Sequence, residues 1–338
     1  MKTQPAIRLK AIEDEKRLFE RLKNLISSHQ KFLLTTHLLP DGDGLGGEIA
    51  LAAYIRSLGK KCTIMNVDPT PEKFSLVDVD HEIQIWDATQ ALPTVDVVLA
   101  LDVNELERLG AISEAIAKLK VPVIFIDHHL SQNELKSLHI IDEEISSMGE
   151  LIYRFLEYTG VEINFKMALA LYVSIFTDTN VFRHRKITAL SHQICASLVE
   201  VGVKPHEVFR QVHQTKSLND MHLLGEVLSQ VKTTFDGKIA WVEVSQALQR
   251  TYRACAEDTQ AFVDYLLILK DVEVGLMFRE EKDQRIKISF RSKGSIHIYP
   301  LVKKLGGGGH QFEAGVLKKG PMAQVVHEVL LQVQKLFN

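Results

Sequence analysis

The sequence predicts an α/β protein: a parallel sheet with its helices in the N-terminal part, followed by a second, smaller α/β domain. Three observations predict it. Two apolar runs, residues 95–101 and 121–126, have the near-continuous hydrophobicity of strands covered on both faces. A helix-patterned stretch, 111–120, lies between them, and strand–helix–strand alternation marks an open parallel sheet. The third is length: 338 residues, at roughly 150 per domain, suggest about two domains.

The elements follow in order. Residues 7–26 carry apolar side chains at helical spacing with charges between them. Residues 32–36 read as a short strand, and a polar, glycine-rich turn runs from His37 to Gly44. A helix resumes over 48–58 and stops at Gly59, a residue suited to the left-handed position after a helix. A second strand covers 61–67. Helices follow over 148–158, 165–176 and 190–201, then Pro205 and a polar helical stretch over 206–231. A new α/β unit opens with a strand at 238–244. It continues with strands at 272–278 and 285–290, a helix at 298–305, a glycine run at 306–309 and an amphipathic helix at 322–337. The expected division is a first domain over residues 1–205, a helical connector over 206–232 and a second domain over 233–338.

Composition excludes several classes. With 46% hydrophobic and 25% charged residues the chain is neither disordered nor fibrous. A formal net charge of −3 gives no global pull towards nucleic acid. Three scattered cysteines, Cys62, Cys195 and Cys255, argue against a disulfide framework or a thiolate zinc site. The first twenty residues hold no signal-peptide core, and no window nears the ~18 apolar residues of a spanning helix. The expectation is a cytoplasmic protein with no membrane partner.

The chemistry concentrates at strand ends. The first strand opens into His37, Asp41 and Asp43. The two apolar runs end at Asp102 and at Asp127, which His128 and His129 follow directly, and Asp178 comes later. In a parallel sheet these ends share one edge, where ligands gather. Any one of these aspartates alone would read as a helix cap or turn residue, and any one histidine as a surface or core group. Together they would repel one another without a cation. Carboxylates and imidazoles without thiolates suit Mn²⁺, Mg²⁺, Co²⁺ or Zn²⁺. Four carboxylates and two imidazoles exceed what one open catalytic ion needs, and suit a pair of ions ~3.5–4 Å apart in phosphoester hydrolysis.

Asp127-His128-His129 after Val-Ile-Phe-Ile, with His37-x-x-Pro-Asp41-x-Asp43-x-x-Gly46, resembles the DHH phosphoesterase superfamily. The run Gly306 to His310, with Ser289-Phe290-Arg291-Ser292-Lys293-Gly294 upstream, resembles its DHHA1 companion domain. Size and domain order are most similar to the nanoRNase/pAp phosphatase group, where pAp is 3′-phosphoadenosine 5′-phosphate. The resemblance implies a DHH catalytic domain, a DHHA1 substrate-binding domain and an active site in the cleft between them. It implies two metals, usually Mn²⁺, with Mg²⁺ or Co²⁺ as substitutes. His37 and Asp41 would hold the first, Asp43, His128 and Asp178 the second, and Asp102 would bridge. His129 would contact the scissile phosphate and Asp127 would orient the neighbouring histidine. The chain departs from the family pattern at Gly47, Asp102-Val103-Asn104, Asn180, His297 and Glu313. None of these removes an implied ligand, but they leave substrate preference open.

The C-terminal unit carries ten Lys/Arg against four acids over residues 279–319, mostly a solvated basic face. Arg291, Ser292, Gly307, Gly308, Gly309 and His310 are the candidates to hold a distant phosphate, since glycines let backbone N–H groups approach an anion and arginine forks onto phosphate. Arg183, just after the Asp178 segment, is a further candidate, for a phosphate contact near the metals. The expected activity is hydrolysis of oligoribonucleotides of 2–5 nucleotides to mononucleotides, and of pAp to AMP. Alternatives are a linear or cyclic dinucleotide signalling phosphodiesterase and a nucleotide-binding sensor without turnover. A processive exonuclease is disfavoured by size. The expected partners are short RNA and pAp, and the connector helices offer a surface for a homodimer.

Overall fold

Side-chain alternation fixes the layers of the first sheet. The computed structural model describes residues 5–129, 139–254, 259, 261–309 and 311–337. It divides into two units, Met1–Thr215 and Lys216–Asn338. The first unit runs α1 (Pro5–Ser28), β1 (Lys31–Thr35), α2 (Gly42–Ser57), β2 (Lys61–Asn66), β3 (Ile83–Ile85), β4 (Val97–Leu101), α3 (Ile112–Lys118), β5 (Val123–Asp127), β6 (Ile140–Ile141), α4 (Met148–Thr159), α5 (Phe165–Asp178), α6 (Ala189–Glu200) and α7 (Pro205–His213). Phe32, Leu34, Leu99, Leu101, Ile124 and Ile126 face one core with α2, α4 and α5. Leu33, Val98, Ala100 and Phe125 face the other with α3. This is the period of two that a strand imposes, with both faces covered.

The strands are all parallel, in the order β3-β2-β1-β4-β5-β6. The order reverses between β1 and β4, so their carboxyl ends flank the crevice where such sheets bind ligands. His37 follows β1, Asp102 follows β4 and Asp127 closes β5.

Helix α2 begins at Gly42, six residues before the expected start at 48. Asp41 caps it, accepting from the backbone N–H of Asp43 and Gly44. Its glycines obscured the helical pattern, yet packing demands them. A Cβ on Gly46 would lie 2.3 Å from the carbonyl oxygen of Ala170 in α5, and one on Gly44 would lie 2.3 Å from Thr36 Oγ1. Close contact of α2 with α5 carries Asp43 to Ser174. Helix α5, expected over 165–176, extends to Asp178. Edge strands β3 and β6 span three and two residues, too short for a pattern to reveal them.

The second unit holds α8 (Leu218–Ser229), β7 (Lys232–Thr234), β8 (Ile239–Val244), α9 (Gln246–Tyr252), α10 (Phe262–Leu266), β9 (Val274–Glu281), β10 (Arg285–Ser292), α11 (Tyr299–Lys304), β11 (Gly308–Gly309), β12 (Glu313–Lys319) and α12 (Met322–Gln334). Its sheet, β11-β12-β10-β9-β8-β7, is mixed: β8 and β9 are parallel and the other pairs antiparallel. Helix α12 covers one face and α8 with α10 the other. Residues 206–232, expected as one connector, split between the units: α7 packs on the 3-10 turn Glu72–Val77, and α8 on α9 and β8. Among the described residues no helix is long and apolar enough to cross a membrane.

The glycine contacts carry a prediction. Gly46→Ala should lower the stability of the first unit by about 1–3 kcal/mol through overpacking. Gly225→Ala, on α8 with nothing within 4 Å of its added Cβ, should be neutral or stabilising. Hydrogen exchange resolved by unit measures both.

Candidate metal centre

Three strand ends and one helix end supply the site. His37 leaves β1 with its Nδ1 2.7 Å from the carbonyl of Leu38, so that nitrogen carries a proton and Nε2 turns inward. Nε2 lies 3.2 Å from Asp102 Oδ2 and 4.0 Å from Asp41 Oδ1. Asp102 takes a left-handed backbone conformation, φ 58°, which aspartate tolerates better than most residues. Asp43 lies buried, and both its oxygens are 3.0 Å from the backbone N–H of Met148 at the start of α4. Ser174 Oγ donates to the same carboxylate.

The segment after β5 completes the centre. Asp127 Oδ1 accepts from the backbone N–H of His128 and His129, and lies 2.6 Å from His129 Nδ1. His128 Nε2 is 3.1 Å from Asp43 Oδ2, 3.6 Å from Asp102 Oδ1 and 3.7 Å from Asp178 Oδ2. Two ligand groups emerge, His37–Asp41–Asp102 and Asp43–His128–Asp178, each with its candidate atoms within 4.8 Å of one another. The Asp102 carboxylate reaches both. A third group joins Asp102, Asp127, His128 and His129.

Electrostatics shows why the cluster suits a cation. Burial alone would lower the pKa of His128, but Asp178, Asp102 and Asp43 outweigh it and hold it well above the ordinary histidine value. Burial likewise opposes, and Asp102 and Asp41 overcome, a rise of His37 to about 9. Burial and the neighbouring Asp43 push Asp178 well above the carboxylate range. Against its own burial, Asp102 is held well below that range by His128 and His37. Without a cation the cluster would balance its charge with protons. Buried His128 Nε2 and Asp102 Oδ1 still make no hydrogen bond of good geometry. Inward-facing, orphaned nitrogen and oxygen atoms without sulfur fit divalent cations of the Mn²⁺ and Mg²⁺ class.

The DHH family, N-terminal domain, matches residues 31–175, and the DHHA1 domain matches 243–337. The chain belongs to the DHH/DHHA1 family. It is 27% identical to the bifunctional oligoribonuclease and PAP phosphatase NrnA of Thermus thermophilus, over 88% of this chain and 87% of that one. It is 29% identical to the protein of the same name from Bacillus subtilis, over 86% and 90%. Among solved structures, an exopolyphosphatase-related protein from Bacteroides fragilis superposes with a TM-score of 0.88 at 26% identity, covering 95% of this chain and 96% of that one.

Within the DHHA1 domain the glycine run is built rather than loose. Gly308 and Gly309 form β11 and pair with β12. A Cβ on Gly307 would lie 2.3 Å from the carbonyl oxygen of Gly315, and Gly309 has φ 136° and a backbone neighbour at 2.5 Å. Those two glycines are required by the hairpin, whereas Gly308 has open space where a ligand can approach. Arg291 Nε is engaged by Asp264 Oδ1 at 3.0 Å and Glu313 Oε2 at 3.5 Å. It is a guanidinium already shared with two acids. Ser292 is buried, its Oγ accepting from Gly294 N–H. His310 lies outside the described residues.

Arg183 sits in a turn that follows Asp178. Asn180, Val181 and Phe182 are all left-handed, with φ 47°, 59° and 62°, at ~1–2 kcal/mol each for ordinary residues. Thr179 Oγ1 accepts from Phe182 N–H, and Arg183 donates to the Asn180 carbonyl and side chain. Several supporting residues left no sequence signal. They include Ser174, the Met148 amide, and Lys186, whose Nζ is 3.4 Å from the His128 carbonyl. Glu48 and Asn66 form another pair. Asn66 Nδ2 donates to Glu48 Oε2 at 2.8 Å, and Asn66 Oδ1 accepts from Thr36 N–H at 3.0 Å, one residue before His37.

Two predictions follow from the protonation pattern. Mn²⁺ must displace protons from His37 and His128, so titration calorimetry in two buffers at pH 7 should show proton release, with affinity falling from pH 9 to pH 6. Binding that is independent of pH would contradict the cluster's charge balance. Burial raises Glu48 from 4.5 to about 8. Between those values the unfolded chain ionises and the folded one does not, so stability falls as pH rises. Metal-free Glu48→Gln should therefore gain melting temperature relative to the parent more at pH 8.5 than at pH 5.

Proposed function

We propose that the protein is a metal-dependent phosphohydrolase that cuts oligoribonucleotides of 2–5 nucleotides to mononucleotides and removes the 3′-phosphate of pAp to give AMP. One observation carries this reading: Asp102 presents Oδ2 to His37 and Oδ1 to His128, one oxygen towards each ligand group. His37 and Asp41 would hold one divalent ion, Asp43, His128 and Asp178 the other, with Asp102 between them. A Mn²⁺ pair, or Mg²⁺ or Co²⁺, would supply a water acidic enough to attack at neutral pH and would neutralise the phosphate.

The chain's own groups do the rest. Met148 N–H and Ser174 fix the Asp43 carboxylate. Asp127 engages His129 Nδ1, so His129 Nε2 is the nitrogen that reaches a phosphate oxygen and steadies its growing charge. The DHHA1 domain would grip the far phosphate through Arg291, Ser292, the backbone at Gly307, Gly308 and Gly309, and His310. Hydrolysis at one end and grip at the other select short substrates. The names of the Thermus and Bacillus relatives support both substrates. The reading sets the enzyme in the cytoplasm, and light scattering checks the homodimer.

The test is a matched series with Mn²⁺: pAp, 5′-phosphorylated RNA of two (pGpG among them), three, five and ten nucleotides, and inorganic polyphosphate. Turnover should be confined to pAp and the shorter RNAs. Asp102→Ala should abolish it, and Asp127→Asn should lower kcat by ~10–100-fold, the usual effect of losing a ligand's supporting carboxylate. Equal cleavage at every length would remove the length selection, and full activity in Asp102→Ala would remove the metal mechanism.

A further inference from the structure

The proposed chemistry leaves unexplained a strip of aromatic rings around the C-terminal end of α5, the helix that ends in Asp178, assembled from four separate segments of the first unit. Phe176 lies in the last turn of α5, two residues before Asp178. Its ring meets Phe182 at 6.1 Å, His213 at 5.5 Å and Phe209 at 6.3 Å between centroids. Phe209 and His213, one turn apart on α7, lie 5.2 Å from each other at 38°. Phe182 also tilts against His192 at 5.2 Å and 35°. A buried anchor such as Phe176 is ordinary core. Phe209 is different, because 41% of it remains exposed, and His213 is exposed beside it.

Cations border the strip. Lys73 Nζ stands 4.9 Å over the ring of Phe74. Phe74 in turn lies 3.1 Å from where a Cβ of Gly42 would be, between the implied ligands Asp41 and Asp43. Arg183 follows Phe182 directly. Burial first, then the charges of Lys73 and Arg183, lower the pKa of His213, so its ring stays neutral at physiological pH. Glu207 on α7 pairs with Lys204, the residue just before the helix, and Gln211 Nε2 is tied to the Glu72 carbonyl at 3.3 Å. Flat, solvent-facing rings with neighbouring cations match what single-stranded nucleic acid presents: bases that stack and phosphates that carry charge.

We infer that Phe209 and His213, flanked by Lys73 and Arg183, form a base-stacking subsite for the nucleotide of a short RNA that lies on the side of the scissile phosphate where pAp has no base. The inference deepens the proposed activity and rests on it for the identity of the substrate. Only a few rings line the strip, which suits one or two bases and not a long strand. It also separates the two substrates. An oligonucleotide has a base on each side of the bond that is cut, whereas pAp has only one base.

The test is equilibrium binding of a 5′-phosphorylated adenylyl dinucleotide with a phosphorothioate linkage, measured on the full chain by calorimetry. Phe209→Leu should weaken it ~10-fold, in the range of one lost base stack, and Phe209→Trp should retain it. In turnover, Phe209→Leu should lower the ratio of dinucleotide to pAp kcat/KM by a similar factor through KM. In the parent protein the His213 ring proton, assigned through His213→Gln, should shift on adding the dinucleotide and not on adding inorganic phosphate. That readout stands even if Phe209→Leu does not fold. Unchanged dinucleotide binding by Phe209→Leu, or a still His213 resonance, would overturn the subsite whether or not the parent hydrolyses RNA. Absence of all turnover in a parent that still shows the stacking effects would instead overturn the hydrolase reading.

Discussion

Like charges packed at the end of a parallel sheet are the constraint on which the rest of this protein depends. Asp41, Asp43, Asp102 and Asp178 crowd around His37 and His128, and the burial of Asp43, Asp102 and His128 limits how far water can screen them. The metal-free chain answers with protons, which is why both histidines are pushed up and Asp102 is held down. Two divalent cations would answer better, because the candidate ligand atoms form two groups and Asp102 faces a histidine of each.

Much of the fold exists to hold that crowd in place. The reversal of strand order between β1 and β4 sets His37 opposite Asp102. Glycines in α2 let α5 approach, which brings Ser174 to Asp43. The Met148 amide at the start of α4 binds the same carboxylate, an anion at a helix N-terminus. Thr36 Oγ1 donates to the Leu101 carbonyl at 2.9 Å, stitching the residues before His37 and Asp102 together. Stability and chemistry therefore share side chains here, and a change to α2 is felt at the ligands.

The sequence disclosed the parts whose signals are local. Strands β1, β4 and β5 are readable because a strand buried on both faces is apolar throughout, and His37, Asp41, Asp43, Asp102, Asp127, His128 and His129 are readable because each stands at or just beyond such a strand. Asp178 is legible as a candidate just past an expected helix, and α5 runs two residues further to include it. The start of α2 hides behind glycines that a helix disfavours and packing requires. Arg291 looks like an open phosphate fork in sequence, but Asp264, 27 residues away, and Glu313 across the β10–β12 ladder already engage it. The rings of Phe176, Phe182, His192, Phe209 and His213 have no common spacing, and only the packing of α5, α6 and α7 unites them.

The central claim is that one carboxylate joins two cation sites. Anomalous diffraction from crystals of the full chain grown with Mn²⁺ tests it most directly. The account predicts two Mn²⁺ peaks ~3.5–4 Å apart, one beside His37 and Asp41, the other beside Asp43, His128 and Asp178, with Asp102 contributing an oxygen to each. A single peak, or two that do not share Asp102, would contradict it.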